Sequence, residues 1–297
     1  MPRCAPPALD PRLAALLGRV WPALPAAAAR AAALGFRWAD VSTPFVRWQG
    51  DRAIAHVGVI DLPLVIDGRR VRVGSVHAVC TDPALRGQGH CRALLEEALA
   101  FCDARYETVV LTTLIPDLYA RFGFRPLPEH GFVRRVASLR AARCDPPLRA
   151  LSADAPDDVR LLRRLLARRA PVSARVGSLE GGTVLIVALL LTWGDFSRVH
   201  HHEALDVVTV HEVRDRTLLL YDVVGPTLPP LERLTEGIDA DRVVVLFPPE
   251  RLGGHFDPEP WDHARAQSLG YGDDTILMAR GPFVESGPFM LQPLSRT

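Results

Sequence analysis

The chain has 297 residues, of which 48% are hydrophobic and 23% are charged, and its formal net charge is +1. This length allows two domains, and the composition excludes a disordered chain. The small net charge excludes a general attraction to nucleic acid or to an anionic membrane, so neither is expected as a partner. The five cysteines form no Cys-x-x-Cys pair, which is typical of reduced thiols. Arginines and prolines interrupt the Ala- and Leu-rich N-terminus, so we predict no export signal and a cytoplasmic location.

The first third of the chain predicts helices followed by an antiparallel meander. Two short Ala- and Leu-rich helices are expected within residues 11–34, separated near Pro22. Turn signals at Gly50-Asp51 and Asp67-Gly68 then divide three strand-like runs. These runs are Pro44–Trp48, Ala53–Ile66 and Arg70–Cys80.

The stretch from Val71 to Ala100 is the most informative part of the chain. A strand rich in β-branched residues leads through Thr81-Asp82-Pro83 into Arg86-Gly87-Gln88-Gly89, where an amphipathic helix begins. The first N–H groups of a helix have no backbone partner, and the helix dipole adds partial positive charge there. The segment from Gly87 to Arg92 therefore predicts a phosphate-binding cradle; the alternative is a plain tight turn.

Two familiar phosphate motifs do not fit this segment. A Walker loop needs a lysine, and the chain contains none. A dinucleotide fingerprint needs its glycines directly after the strand, whereas these follow Asp82-Pro83 by several residues.

The run Arg86-Gly87-Gln88-Gly89-His90-Cys91 resembles the acetyl-CoA-binding consensus R/Q-x-x-G-x-G/A of the GCN5-related N-acetyltransferase (GNAT) superfamily. Cys91 stands where that family prefers Gly or Ala. The resemblance implies an α/β (α+β) mixed-sheet GNAT fold and acetyl-CoA as co-substrate, with no metal. Cys91 is expected to be a small residue in the Gly/Ala position, the alternative being a reactive thiol with a lowered pKa at a helix N-terminus.

A second, independent resemblance lies between Leu111 and Arg125. We predict a strand at Thr108–Thr113 and a short helix at Asp117–Arg121, followed by Phe122-Gly123-Phe124. Tyr119 fits the Y-x-x-x-G-F/Y pattern of the family. The resemblance implies that Tyr119 is the general acid that protonates the departing thiolate; the alternative is a packed aromatic. Many relatives carry a cofactor-contacting Asn ahead of this Tyr, but this chain contains no Asn.

The resemblance also implies a set of cofactor contacts. The backbone of one strand end would pair with the pantetheine arm, with an N–H aimed at the thioester oxygen, and the loop and helix start would hold the pyrophosphate. The strand residues are Val79, Cys80 and Thr81, and the pyrophosphate residues are Arg86, Gly87, Gln88, Gly89, His90, Cys91 and Arg92. His77, nine residues before Arg86, is the candidate base or water relay, because imidazole titrates near neutral pH; the alternative is a strand histidine bonded to a neighbouring backbone group.

The second half of the chain echoes the element order of the first. A Pro-, Ala- and Asp-rich linker at Arg140–Pro156 separates a predicted catalytic domain, residues 1–140, from residues 148–297. A short strand and an amphipathic helix are expected within Leu148–Arg169, and a turn and helix within Gly225–Ile238. Strands are expected at Val184–Trp193, Ala204–Val213, Thr217–Val224, Val243–Phe247 and Thr275–Ala279. Because three prolines replace the glycine pair after Val224, we predict a degenerate GNAT-like domain without its own cofactor.

Two further groups of ionisable residues have modest expected roles. Consecutive side chains of His200-His201-His202-Glu203 point in different directions on a strand, so a solvated turn is favoured over a metal site. His211-Glu212 could add metal ligands only if the fold brings them alongside. Asp215 and Asp222 are expected in turn and surface roles.

These patterns together predict an acetyl-CoA-dependent N-acetyltransferase. The acceptor would be a primary amine on a small molecule or on a protein or peptide. The alternative is a non-catalytic acyl-CoA-binding or regulatory module. The run from Tyr119 to Phe124 is also similar to that of the Eis-type tandem acetyltransferases, which suggests an aminoglycoside acceptor only by that resemblance. A homodimer and a monomer both fit the sequence.

Overall fold

The computed structural model describes residues 9–136, 148–269 and 275–296. The helices are α1 (Pro11–Val20), α2 (Leu24–Ala33), α3 (His90–Asp103), α4 (Pro116–Ala120), α5 (Pro156–Ala167), α6 (Thr183–Thr192), α7 (Leu231–Leu234) and α8 (His263–Ser268). The strands are β1 (Ser42–Gln49), β2 (Arg52–Ile66), β3 (Arg69–Thr81), β4 (Val109–Thr113), β5 (Arg125–Pro126), β6 (Glu129–Arg135), β7 (Arg149–Ala150), β8 (Val176–Ser178), β9 (Val199–His202), β10 (Val207–Arg214), β11 (Thr217–Val224), β12 (Arg242–Val245), β13 (Asp257–Trp261) and β14 (Ile276–Arg280).

The first sheet has the order β1-β2-β3-β4-β14-β5, with β8 paired to β2. The antiparallel meander predicted from the sequence forms β1, β2 and β3, and β4 then joins β3 in parallel. Helix α3 packs on one face through Leu94 and Leu95, against Val57 and Val76. The apolar side chains of α1 pack against a separate group of strand residues that includes Ala53. Helices thus pack against a mixed sheet through buried apolar side chains, as the α/β prediction requires.

The second sheet has the order β13-β6-β12-β11-β10-β9-β7. The predicted turn Arg214-Asp215-Arg216 connects β10 to β11, and both Asp215 and Arg216 have a positive φ, at 44° and 58°. The β11–β12 pair is parallel and the other pairs are antiparallel, so this sheet is also mixed.

The first sheet contains two strands from the second part of the chain, β8 and β14, and the second sheet contains one strand, β6, from the first part. β6, expected at Gly131–Ala137 as the last strand of the first sheet, lies instead between β12 and β13. β14, expected in the second half, lies between β4 and β5. The residue pattern of a strand predicts that the strand joins a sheet, but it does not predict which strand lies next to it. Here the neighbouring strands are far away in the chain. The division into domains at residues 140–148 therefore stays a prediction, and residues 140–147 of its linker lie outside the described residues.

The strand predicted at Val184–Trp193 is wrong, because this run forms α6. A short run that is apolar on all sides has no period that separates a buried strand from a buried helix. Glu180 decides the outcome locally, since its carboxylate accepts hydrogen bonds from the N–H groups of Gly182 and Thr183 at 2.7 and 2.8 Å. This carboxylate satisfies N–H groups that the first turn leaves without a partner.

The expected surface role of Asp222 is also wrong. Its side chain is fully buried, and Arg169 pairs with it at 2.7 Å. Gln292 donates a further hydrogen bond to Asp222 at 2.6 Å. A buried charge requires such partners, and they come from two distant parts of the chain. None of the helices in the described ranges has the length and apolarity needed to cross a bilayer.

Candidate active site

The candidate site begins where β3 and β4 separate. Within the described residues, these parallel strands pair only at Gly74 with Val109 and at Ser75 with Val110. β3 continues to Thr81 and β4 to Thr113, so the facing strand edges beyond Ser75 lie open. Backbone groups on an open strand edge are free to pair with an extended ligand. The cleft is a place where an extended, amide-containing chain can add between two strands.

A β-bulge shapes the β3 side of this cleft. His77 is opposite Gly58 and Cys80 is opposite His56, so Ala78 and Val79 together face one residue of β2. Ala78 has a φ of 48°. The left-handed conformation costs an L-residue about 1–2 kcal/mol, and bulges re-aim backbone groups next to active sites. The bulge lies next to Cys80 and Thr81 and includes Val79, the three residues predicted to form the splayed strand end.

The glycine loop after β3 forms an exposed helix start. Gly87 and Gly89 have φ values of 78° and 81°, and Gly89 immediately precedes α3 without a side-chain cap. A Cβ at either glycine would meet no atom within 4 Å, so the backbone conformation, not crowding, favours glycine there. The predicted cradle residues therefore form an accessible set of unpaired helix N–H groups at the start of α3.

Asp82 anchors the loop, a role that the sequence analysis missed. Its carboxylate accepts a hydrogen bond from the Ala84 N–H at 3.1 Å and pairs with Arg19 at 3.0 Å and also with Arg52. The hydrogen bond from Arg52 holds the pKa of Asp82 below its ordinary value. The loop is thereby tied to α1 and β2. The Asp82-Pro83 pair, which is typical of a capped turn, was the available signal.

A cavity of about 450 Å³ lies beside the cleft. Its first wall contains Val79, Tyr119 and the end of β4. Its second wall contains Trp21, which follows α1, together with Leu24 of α2, Trp38 and residues of α6. Helix α6 packs against α2, so the second half of the chain completes a cavity that the first half opens.

Tyr119 reaches the cavity from α4. Its ring is buried, with 6% exposed, and packs edge-on against Phe124 at a centroid distance of 6.2 Å. Burial raises the pKa of Tyr119 above its ordinary value, and the nearby Cys91 thiol acts in the same direction. The hydroxyl is therefore protonated at neutral pH and able to donate a proton.

His77 lies against the same cavity but is fully enclosed. Its Nε2 is 2.8 Å from the Ser42 hydroxyl, and its ring packs edge-on against Trp38 at 5.1 Å. Gly58 makes this position possible, because a Cβ there would lie 2.1 Å from Nε2. Burial, and secondarily His56, lowers the pKa of His77 to about 3. The imidazole is thus neutral at pH 7, and its bond goes to a side chain and not to backbone.

The predicted site cysteines are not activated thiols. Burial raises the pKa of Cys80 to about 12 and also raises the pKa of Cys91. The alternative of a reactive Cys91 with a lowered pKa is therefore wrong, because burial raises the pKa of this thiol. The Cys80 side chain packs on the core of α1 and Thr81 is buried, so only their backbone is available to the cleft.

The histidine run forms strand β9, not the expected solvated turn. β10 lies alongside it, so the His200 and His211 rings stack at 4.0 Å, and the Thr209 hydroxyl contacts His202 at 2.9 Å and His211 at 2.8 Å. Across the described ranges, no group of three or more His, Cys, Asp or Glu side chains is arranged to hold a metal ion. These histidines pack against one another in the second sheet.

Comparison with known proteins identifies a family model and several solved structures that are similar to this chain. Residues 14–127 match the family model described as "Acetyltransferase (GNAT) domain". A search of curated proteins found no match. Among solved structures, the chain is similar to a probable N-acyltransferase from Enterococcus faecalis, at 12% identity and a TM-score of 0.54, over 91% of this chain and 69% of that one.

Two other solved structures extend the comparison. One is a GCN5-related N-acetyltransferase from Kribbella flavida, at 18% identity and a TM-score of 0.48, over 84% of this chain and 62% of that one. The other is YhbS from Escherichia coli, solved in complex with CoA, at 29% identity and a TM-score of 0.31, over 40% of this chain and 63% of that one. The chain thus spans 62% to 69% of the length of these three proteins. The family model thus identifies residues 14–127, which include β3, the glycine loop, α3 and Tyr119, as a GNAT acetyltransferase domain.

Proposed function

We propose that this protein transfers an acetyl group from acetyl-CoA to a primary amine by direct attack, with Tyr119 as the general acid. The observation that carries the proposal is that the open cleft between β3 and β4 leads to the cavity that contains the buried, protonated Tyr119. Fold membership alone does not imply an activity, whereas this arrangement places an open strand edge next to a proton donor.

The residues present fit acetyl-CoA. The open edge of β3 beyond Ser75 suits the amide groups of a pantetheine arm, and the helix start at Gly89 suits a pyrophosphate. We assign these roles to the backbone of Val79, Cys80 and Thr81, and to the segment from Arg86 to Arg92. No lysine exists to neutralise the phosphates, so their binding depends on N–H groups and arginines.

The reaction forms a C–N bond and breaks the C–S bond of the thioester. In this proposal the amine nitrogen attacks the carbonyl carbon, the sulfur leaves as a thiolate, and the Tyr119 hydroxyl gives that sulfur its proton. The nitrogen loses one proton when the amide forms, and this proton restores Tyr119 through solvent. Acetyl-CoA and amine become CoA and acetamide, so atoms and protons balance.

His77 acts as a positioning or relay group in this scheme. A pKa of about 3 means that neutral His77 is present at pH 7 but holds a proton only weakly. Its contact with Ser42 makes a short polar path out of the enclosed site. The acceptor amine therefore has to reach the site already neutral.

The pH dependence of turnover tests this assignment. We expect kcat/KM to rise about tenfold per pH unit below the pKa of the acceptor and to level off above it, because only the neutral amine attacks. His77 stays neutral above about pH 4, since its pKa is about 3, so it adds no inflection near pH 6.5. The pH profiles of kcat/KM for two amines should be shifted along the pH axis by the difference between the pKa values of the two amines. A common inflection near pH 6.5 for both amines would show that His77 titrates normally.

Binding and turnover together test the proposed function. Calorimetry with acetyl-CoA should show one site per chain, and thiol release should depend on an added primary amine. Acetyl-CoA binding without thiol release from any amine would favour the alternative, a non-catalytic acyl-CoA-binding or regulatory module. Two sites per chain would show that the second half is not degenerate. The absence of binding would refute both functions.

A further inference from the structure

The second wall of the cavity contains large apolar side chains from three separate parts of the chain. Trp21 and Leu24 come from the α1–α2 junction, and Trp38 comes from the turn before β1. Val187 and Leu191 come from α6, across the cavity from the cleft residues. A wall assembled in this way is specific to the folded chain and surrounds the place where an acceptor has to lie.

Among the described residues, four of the seven exposed large apolar side chains line this cavity. Exposed fractions are 38% for Trp21, 63% for Leu114, 59% for Ile115 and 41% for Leu191, and all four line the cavity. Exposed apolar side chains that cluster around a concave site mark a binding surface. Single exposed apolar residues elsewhere, such as Val213, need no such explanation.

The charges of the side chains that line the cavity also favour an apolar ligand. Among the described residues, no Asp or Glu side chain lines the cavity. Arg296 does line it, but its guanidinium is buried and paired with Glu129 at 2.8 Å. A polycationic acceptor such as a polyamine or an aminoglycoside would bring several ammonium groups that find no carboxylate in this wall.

An apolar wall also has a chemical consequence for an amine. A low-polarity environment favours the neutral form of an amine over its ammonium form. The site thereby selects the form that can attack a thioester without a strong base. This fits the enclosed environment of His77, whose contact is the neutral Ser42 hydroxyl.

We infer that the acceptor is a small primary amine with an apolar body, which lies between Trp21, Trp38 and α6 with its amino group toward Tyr119. This inference rests on the proposed function, since it names the acceptor class of the same site. The second half of the chain then acts in acceptor selection, because α6 supplies one side of the binding surface.

A panel of acceptors tests the inference directly. Thiol release from acetyl-CoA should be measured with 2-phenylethylamine, hexylamine, spermidine and kanamycin, each at a pH where the same fraction of amine is neutral. We expect the two apolar amines to have kcat/KM values at least about tenfold above those of spermidine and kanamycin, a size typical of hydrophobic-pocket contacts.

Other outcomes of the panel separate the inference from the proposed function. A preference for spermidine or kanamycin would overturn the inference and leave an active acetyltransferase. A much higher rate with decanoyl-CoA than with acetyl-CoA, with no preference among amines, would show that the cavity holds an acyl chain. The absence of acetyl-CoA binding would overturn both.

A Leu191→Glu variant provides a second test on the protein itself. Leu191 is partly exposed on α6, so a carboxylate there is compatible with the fold. We expect kcat/KM for 2-phenylethylamine to fall about tenfold and that for spermidine to rise, because the wall loses apolar contact and gains a partner for ammonium groups. Unchanged acetyl-CoA affinity by calorimetry would show that the cleft is intact.

The control for this variant is Val213→Glu. Val213 has a similar exposure, 43%, but lies at the end of β10 in the second sheet and does not line the cavity. It should leave the acceptor preference unchanged. If both variants reduce turnover with 2-phenylethylamine equally, or if neither does, α6 has no part in acceptor selection.

Discussion

A Gly89→Glu variant should lose acetyl-CoA binding, with an increase in Kd of about 100-fold or more. Gly89 directly precedes α3, at the start of the predicted pyrophosphate cradle. A carboxylate there would lie beside two phosphate charges, and such like-charge contacts cost several kcal/mol, with about 1.4 kcal/mol for each factor of ten. Calorimetry on the full chain measures the change.

Two variants separate charge from backbone strain. Gly89→Ala adds a side chain at a φ of 81° but no charge, and we expect it to weaken binding by at most about 30-fold, since this strain costs about 1–2 kcal/mol. Gly68→Glu places the same carboxylate at a φ of 77° in the β2–β3 turn, where a Cβ also meets no atom within 4 Å. It should bind acetyl-CoA as the unmodified protein does. Equal Kd values for Gly89→Glu and Gly68→Glu would mean that the phosphates bind elsewhere.

A Tyr119→Phe variant should lower kcat by about 100-fold or more, the usual contribution of a general acid. The ring and its packing against Phe124 are kept, and only the hydroxyl is removed. The Kd for acetyl-CoA should change less than about twofold, since the acid acts on the leaving sulfur in the transition state. Steady-state thiol release and calorimetry on the same preparation separate these quantities.

Tyr106→Phe is the matched control for Tyr119→Phe. Tyr106 is a partly buried tyrosine that packs against the same α3 core but does not line the cavity. The kcat of the Tyr106→Phe variant should stay close to that of the unmodified protein. A full kcat in Tyr119→Phe, with the control also unchanged, would show that solvent protonates the thiolate and that Tyr119 is a packing residue.

The elements of the site that depend on neighbouring residues could be predicted from the sequence. The strand, the glycine loop and the start of α3 follow one another within the stretch from Val71 to Ala100, where turn residues and periodicity act over a few positions. The short helix that holds Tyr119 is confirmed for the same reason. These elements depend on neighbouring residues, so a single sequence was sufficient to predict them.

The tertiary structure decided which strands and helices meet. The sequence predicted β6 and β14 as strands, but each joins the other sheet, because strand pairing depends on partners that are distant in the chain. The run that forms α6 carried no distinguishing period, and Glu180 and the surrounding core determined that it is helical. Local patterns could therefore predict neither the sheets that β6 and β14 join nor the helical conformation of α6.

The chemical character of the site was likewise decided by folding. The sequence shows that position 77 is a histidine but not what surrounds it. The pKa of about 3 comes from burial in the folded chain, where the ring also contacts Ser42, 35 positions earlier. The apolar second wall joins Trp21 to Leu191, residues that no local pattern relates. The sequence by itself determined the cradle and the candidate acid, because both depend on adjacent residues. Only the tertiary structure determined the protonation of the site and the wall that faces the acceptor, because both depend on which distant side chains exclude water together.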